Sequence, residues 1–247
     1  MSHHIIEARD VAFIYPGGTE ALRGVSFCIR HGEAVGIIGC NGAGKSTLLL
    51  HLNGYLTPTC GEVRVGDVLL TRQTVAMARR TVGLVFQDSD DQLFMASVFE
   101  DVAFGPLNLG LTYDEVEQRV AVALDRVGVA HLRDRPPYRL SAGEKRAVAI
   151  ATVLALEPDI LVMDEPSSNL DPRARRRLIE LLRSFEHTRI IATHDLELVV
   201  EVCSRVMVLD GGMIVADGPT RDILNDEALM NAHGLERPHI LRHAHPH

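Results

Sequence analysis

Cysteine is scarce and scattered in this sequence of 247 residues. Cys28, Cys40, Cys60 and Cys203 form no CxxC pair, so neither a disulfide framework nor a zinc ligand set is supported, and a reducing cytosol is the compartment that fits. Long apolar runs are also lacking. The longest, Ala147 to Leu156, is too short to span a bilayer, and no basic start leads into an apolar stretch at the N-terminus. Any membrane role is therefore expected to come through a partner. Positive charge is in deficit: the formal net charge is −8 with histidines neutral, a balance that repels nucleic-acid phosphates and argues against a nucleic-acid partner. The one dense basic cluster, Arg173, Arg175, Arg176 and Arg177, follows Pro172, where the first turns of a helix are expected. It reads as a solvated helix face, with an interaction surface as the alternative.

What is present is the material of a folded globule, 46% hydrophobic and 23% charged, at a length that allows one large domain or a core with an insertion. The stretches Ile5 to Ile14 and Leu22 to Ile29, rich in β-branched and aromatic residues on either side of Pro16-Gly17-Gly18, predict antiparallel strands. Ala34 to Ile38 reads as a buried strand that meets a glycine-rich turn and then a helix over Lys45 to Leu52. Further strands are expected at Glu62 to Val65, Val82 to Phe86, Ile160 to Met163, Arg189 to Thr193 and Val206 to Leu209, separated by helical segments long enough for crossovers. Between Gln87 and Leu156 the pattern turns helical, with Val116, Val120, Ala123, Leu124 and Val127 at helical spacing. A short helix over roughly 220–224 and a tail with His233, His239, His243, His245 and His247 complete the chain.

The strongest chemical signal is Gly39-Cys40-Asn41-Gly42-Ala43-Gly44-Lys45-Ser46, a GxxxxGK[ST] phosphate loop between a predicted strand and a predicted helix. Glycines let backbone N–H groups turn inward around a phosphate, the helix N-terminus adds partial positive charge, Lys45 neutralises the β and γ phosphates, and Ser46, followed by Thr47, can ligate Mg²⁺. The second signal is the apolar strand Ile160 to Met163 ending in Asp164 and Glu165, at the end of the strand where open α/β sheets bind ligands. Neighbours on an extended chain point to opposite sides, so Asp164 can hold the Mg²⁺ shell while Glu165 activates water. The expected fold is α/β: a P-loop NTPase core with a mostly parallel sheet, an N-terminal antiparallel β subdomain and an inserted α-helical subdomain. Residues 1–227 would form the ATPase domain, with 1–86 and 157–227 as the core and 87–156 as the insertion, and 228–247 the histidine-rich tail.

Leu140-Ser141-Ala142-Gly143-Glu144 lies shortly before the carboxylate strand, and with it the chain resembles the ABC ATPase family and its LSGGQ signature. The resemblance implies ATP and Mg²⁺ as ligands and a second ATPase subunit, identical or related, whose nucleotide would be met by Ser141 and Gly143 at a helix N-terminus. Ala142 and Glu144 depart from the signature; alanine restricts the backbone and Glu144 brings negative charge toward an anionic ligand. The resemblance also implies that Gln87 links Mg²⁺ and attacking water to the insertion, that His194 contacts the γ-phosphate, that Tyr15 stacks on adenine, and that Ser168 to Asp171 contacts the partner. Packing for the tyrosine and a plain loop position for the histidine are the alternatives.

Within that family, Gln87 to Phe94 and Glu100 to Gly110 are similar to energy-coupling factor (ECF) ATPases. This implies a peripheral position on the cytoplasmic membrane face, an integral membrane ECF subunit, import of cobalt, nickel or a vitamin, and a groove with Leu93 and Phe94 as apolar anchors. A non-transport ABC ATPase would show tandem nucleotide domains or a long coiled coil, and a P-loop kinase would not need Leu140 to Glu144. The histidine tail reads as a solvated segment or as a nickel or cobalt ligand.

Overall fold

The computed structural model describes residues 4–242. β1 (His4–Ile14) and β2 (Glu20–Arg30) pair antiparallel, as their apolar positions require, with Leu22, Val25, Phe27 and Ile29 of β2 buried. β3 (Ala34–Ile38) is buried along its whole length and leads through the glycine-rich turn into α1 (Lys45–Leu52). β4 (Cys60–Val65) and β5 (Val68–Leu69) complete a sheet in the order β2-β1-β4-β5, and α2 (Val75–Thr81) brings the chain back to the larger sheet.

That larger sheet joins β3 to β6 (Val82–Val85), β7 (Ile160–Asp164), β8 (Thr188–Ala192), β9 (Arg205–Asp210) and β10 (Met213–Pro219) in the order β10-β9-β3-β8-β7-β6. Its ladders are parallel except at β10, which runs antiparallel to β9 after a turn at Gly211 and Gly212, both at positive φ (52° and 81°). This edge strand is absent from the sequence expectation because it is buried on neither face and shows no clean alternation.

α3 (Val98–Asn108), α4 (Tyr113–Arg126) and α5 (Ala142–Leu154) pack on one another. α4 opens with a Thr112/Glu115 capping box and buries Val116, Val120, Ala123 and Leu124, the predicted stripe. α5 also lies against β6: a Cβ on Gly83 would come within 2.4 Å of Val153 Cγ1, so strand and helix meet where there is no side chain. Val102, Val120 and Val148 therefore share one apolar cluster with Ile38, Val85 and Met163. The division expected between 156 and 157 falls inside a continuous core. α6 (Pro172–Ser184) and α7 (Leu196–Val202) cover the remaining crossovers; α6 starts at an Asp171 cap with proline in its first turn and buries Leu178, Ile179, Leu181 and Leu182.

The C-terminal reading needs correction. After α8 (Thr220–Asn225), a solvated tail was expected from residue 228, yet α9 (Glu227–Ala232) and α10 (His239–Arg242) follow. Met230 and Leu241 are buried in the core, and His233 Nδ1 lies 2.8 Å from Asp210 Oδ2. Isolated apolar anchors at wide spacing carry no periodic signal, which is why the segment read as a tail. His243, His245 and His247 lie outside the described residues. Met230→Ala is expected to destabilise the protein by about 2–5 kcal/mol in urea unfolding, the cost of truncating a buried methionine; a solvated segment would show almost no change.

Candidate functional site

The phosphate loop is shaped by close backbone approach. A Cβ on Gly39 would lie 2.1 Å from Leu209 O, and one on Gly44, at φ 105°, would lie 2.6 Å from Ala21 O, so only glycine fits at either position. Gly44 caps α1 with no side-chain hydrogen bond, so no side chain covers the first-turn N–H groups on that account. Lys45 is nearly buried and its Nζ donates to Gly39 O (2.8 Å) and Cys40 O (3.2 Å), folding the amine back over its own loop. Gly42 is also at positive φ, 81°, beside the exposed Asn41. Thr47 accepts or donates a 3.0 Å hydrogen bond with the Tyr15 hydroxyl, and Phe13 meets the Tyr15 ring edge-on at 4.9 Å.

β7 delivers Asp164 and Glu165 into the interior, 7% and 5% exposed. The Asp164 carboxyl is raised above the usual carboxylate range, first by burial, then opposed by a hydrogen bond from Ser46, pushed further by Glu165, and opposed again by Lys45 and Arg146. Its Oδ1 has no hydrogen-bond partner. A buried carboxylate oxygen without a partner, next to a serine hydroxyl, fits a hard divalent cation such as Mg²⁺, whose ligands are oxygens. Glu165 sits at φ 46°, a left-handed conformation unusual for a non-glycine residue and typical of strained functional positions. Its Oε2 accepts hydrogen bonds from Thr193 Oγ1 (2.9 Å) and His194 N (3.3 Å), and lies 2.8 Å from His194 Nδ1. Thr193 carries no sequence signal for a place in this group.

Gln87 follows β6 at the mouth of a cleft of about 570 Å³ that Asp164, Arg146, Asn169 and Lys145 also line. Arg146 is the residue that sequence reasoning missed. Buried to 5% exposure on α5, its guanidinium donates to Phe86 O (2.6 Å) and to Gln87 O, so the backbone that carries Gln87 hangs from the helical layer. Burial lowers the Arg146 pKa, and Asp88, Asp164 and Glu165 oppose that shift. Its place immediately before the apolar run that starts at Ala147 was the available signal. Gln92 reinforces the link, its Nε2 donating to Ala149 O and Thr152 Oγ1, both at 2.7 Å.

Ser141 and Gly143 line a cavity against α6 that adjoins the Asp164 cleft and shares Ala142, Arg146 and Asn169 with it. Ser141 caps α5, and Glu144 closes a capping box: its Oε2 accepts from Ser141 N and Oγ, both at 2.8 Å. Those bonds, backbone first, hold the Glu144 carboxyl below the usual range. Ala142 is the first residue of α5 and has ordinary negative φ, so alanine imposes no restriction there, against the sequence expectation. A Cβ on Gly143 would meet Leu170 Cδ2 at 3.8 Å and Ala174 Cβ at 3.9 Å, ordinary contacts. Nothing in the surrounding chain requires glycine at that point. Asn169 stands at φ 62°, which asparagine tolerates better than alanine. Leu93, expected with Phe94 as an apolar anchor of a docking groove, is buried at 8%, whereas Phe94 is 63% exposed; a residue beside Gln92 is drawn inward with it.

A folded-state pKa above the unfolded value means that ionising Asp164 destabilises the nucleotide-free fold, a penalty that grows as pH rises from the unfolded pKa and is complete above the folded one. Asp164→Asn is therefore expected to raise the melting temperature without Mg²⁺ and nucleotide by about 2–4 °C, the equivalent of ~1 kcal/mol, while weakening Mg²⁺-dependent nucleotide binding. Scanning calorimetry with and without Mg²⁺ and ATP checks both halves.

Comparison with known proteins is consistent with this geometry. The profile of the family described as ABC transporter matches residues 22–168. A Geobacter sulfurreducens protein assigned as an ABC transporter ATP-binding protein is 64% identical over 96% of each chain. The energy-coupling factor transporter ATP-binding protein EcfA of Methanothermobacter thermautotrophicus is 46% identical over 95% of this chain and 77% of its own. Among solved structures, cbiO1 from Clostridium perfringens, part of the ABC transporter complex cbiONQ, superposes with a TM-score of 0.81 at 38% identity over 98% of both chains.

Proposed function

This chain belongs to the ABC transporter family as an ATP-binding subunit that hydrolyses ATP with Mg²⁺, and from that membership we propose that it powers an ECF-type importer from the cytoplasmic membrane face. The observation that carries the catalytic part is the buried pair at the end of β7, one carboxylate with an orphaned oxygen beside Ser46 and the other bonded to His194. In this reading Asp164 and Ser46 would hold Mg²⁺, with Gln87 completing its shell, and the ion would neutralise charge on the transferred phosphoryl group. Lys45 and the backbone of Gly39, Asn41, Gly42 and Gly44 would bind phosphates, Thr47 would support them, and Tyr15 would contact the base. Glu165 takes the proton from attacking water, and His194 orients that carboxylate and reaches toward the terminal phosphate.

Ser141 and Gly143 act on the nucleotide of a second subunit, identical or related. Support comes from their place on a cavity wall that Asp164 does not line and from a glycine that its own chain does not require. ATP then joins two subunits head to tail, and hydrolysis releases them.

The ECF assignment rests on the likeness to EcfA and cbiO1 and on an exposed apolar patch. Phe94 (63% exposed) meets Phe104 (41%) edge-on at 5.1 Å, with Leu107 (52%) nearby on α3. Asp101, buried at 3%, accepts from the N–H groups of Phe94 and Met95 and so fixes the loop that presents the first ring. Such a patch suits a coupling helix of an integral membrane subunit. A nickel or cobalt ion is the proposed cargo, in keeping with the imidazole-rich C-terminus. Vitamin import by the same class of complex is the second reading, and uptake assays with each cargo separate them.

Glu165→Gln should keep ATP binding and lose hydrolysis by about 10²–10⁴-fold in a phosphate-release assay. Near wild-type turnover would move the proton-accepting role to His194. Phe94→Glu combined with Phe104→Glu should abolish co-purification with the membrane subunit while the far-ultraviolet circular dichroism stays unchanged; persistent co-purification would place the coupling surface elsewhere.

A further inference from the structure

A cavity of about 510 Å³ opens between α5, α6 and the connection that follows α4. Its volume lies in the range of small-molecule sites. The inner wall is apolar: Val127, Val129, Ala147, Ile150, Leu178 and Leu181. The lip is charged, and here the basic cluster of the sequence divides. Arg175 is committed to Asp195 (3.0 Å) and Glu201 (3.3 Å). Arg173 and Arg177 line the cavity instead, both exposed, and neither forms an ion pair among the described residues.

The acids at the lip are already engaged. Asp171 accepts the N–H groups of Arg173 (2.8 Å) and Ala174 (2.9 Å), and Glu144 accepts from Ser141. The third guanidinium on the wall, Arg146, is held by the Phe86 and Gln87 carbonyls. Arg177 reaches across from α6 to the α4–α5 connection: a Cβ on Gly128 would lie 3.5 Å from one of its guanidinium nitrogens. An apolar slot is thus flanked by two guanidinium groups that feel the nearby Asp171 carboxylate, yet whose N–H donors form no hydrogen bond or ion pair among the described residues.

We propose that this cavity binds a small amphipathic anion, an apolar body of about drug-fragment to drug size carrying a carboxylate, sulfonate or phosphate that pairs with Arg173 and Arg177. Guanidinium groups suit such planar or multidentate anions, and the dry wall supplies the apolar contact. A bound molecule touches α5 of the helical layer and α6 of the sheet layer together, and so ties the Ser141 helix to the Asp171 loop.

The test uses the full chain without nucleotide, so that its result is independent of the ATPase reading. Anilinonaphthalene sulfonate and its uncharged relative phenylnaphthylamine are titrated by fluorescence. The sulfonate should bind at about one per chain with micromolar affinity. Arg173→Gln with Arg177→Gln, both at exposed positions, should weaken the sulfonate tenfold or more and change the uncharged probe by less than about twofold. Ala147→Phe, which fills the slot, should weaken both probes. Equal sulfonate binding by wild type and the double variant, equal loss of both probes in that variant, or binding left intact by Ala147→Phe overturns the proposal.

Discussion

Burial of two adjacent carboxylates at the end of a fully buried strand is the constraint around which the rest of this protein is arranged. Charge taken out of water must find partners, and a single strand end cannot provide them. Asp164 and Glu165 therefore draw on separate parts of the chain: Ser46 and Lys45 from α1, Arg146 from α5, and Thr193 with His194 from the end of β8. Glu165 even adopts a left-handed backbone to reach its partners. One oxygen of Asp164 is left without any, and that residual deficit is what the proposed divalent cation would satisfy.

The same demand joins the helical layer to the chemistry. Arg146 is held in a desolvated position that disfavours its charge, and it is kept there by the carbonyls of Phe86 and Gln87. Gln92 grips α5 one to two turns further along. The loop from Gln87 to Phe94 is therefore strung between two grips on one helix, with an exposed aromatic patch at its far end. Displacement of that patch by a membrane subunit would be transmitted to Gln87 through a short, hydrogen-bonded path instead of being lost in a floppy loop. The shared core of α3–α5 and the sheet makes the coupling stiffer than a separately folded insertion would.

Local sequence determined the elements whose physics is local. Strand, glycine-rich turn and helix at residues 34–52 were legible because the steric need for glycine and the run of buried apolar residues are both short-range. The stripe on α4, the cap at Ser141 and the acidic pair after Met163 were legible for the same reason. The family resemblance then supplied expected roles for Gln87, His194 and Tyr15 that no spacing argument could give.

What only the tertiary structure decided are matters of which distant groups meet. Arg146 became a support for Gln87 because α5 crosses the end of β6, and Thr193 became a partner of Glu165 because β7 and β8 are neighbours in the sheet. Leu93 turned inward and Phe94 outward although the two are adjacent and both apolar. Met230 and Leu241, too far apart in sequence to form a stripe, fixed a segment that had read as solvated tail. Among four neighbouring arginines, equivalent by composition, Arg175 was drawn to Asp195 and Glu201 while Arg173 and Arg177 came to line a cavity, because helical periodicity turns successive residues to different neighbours. A one-dimensional pattern can state that a side chain will be buried or charged, but the partner that satisfies it is chosen by the packing of the whole chain.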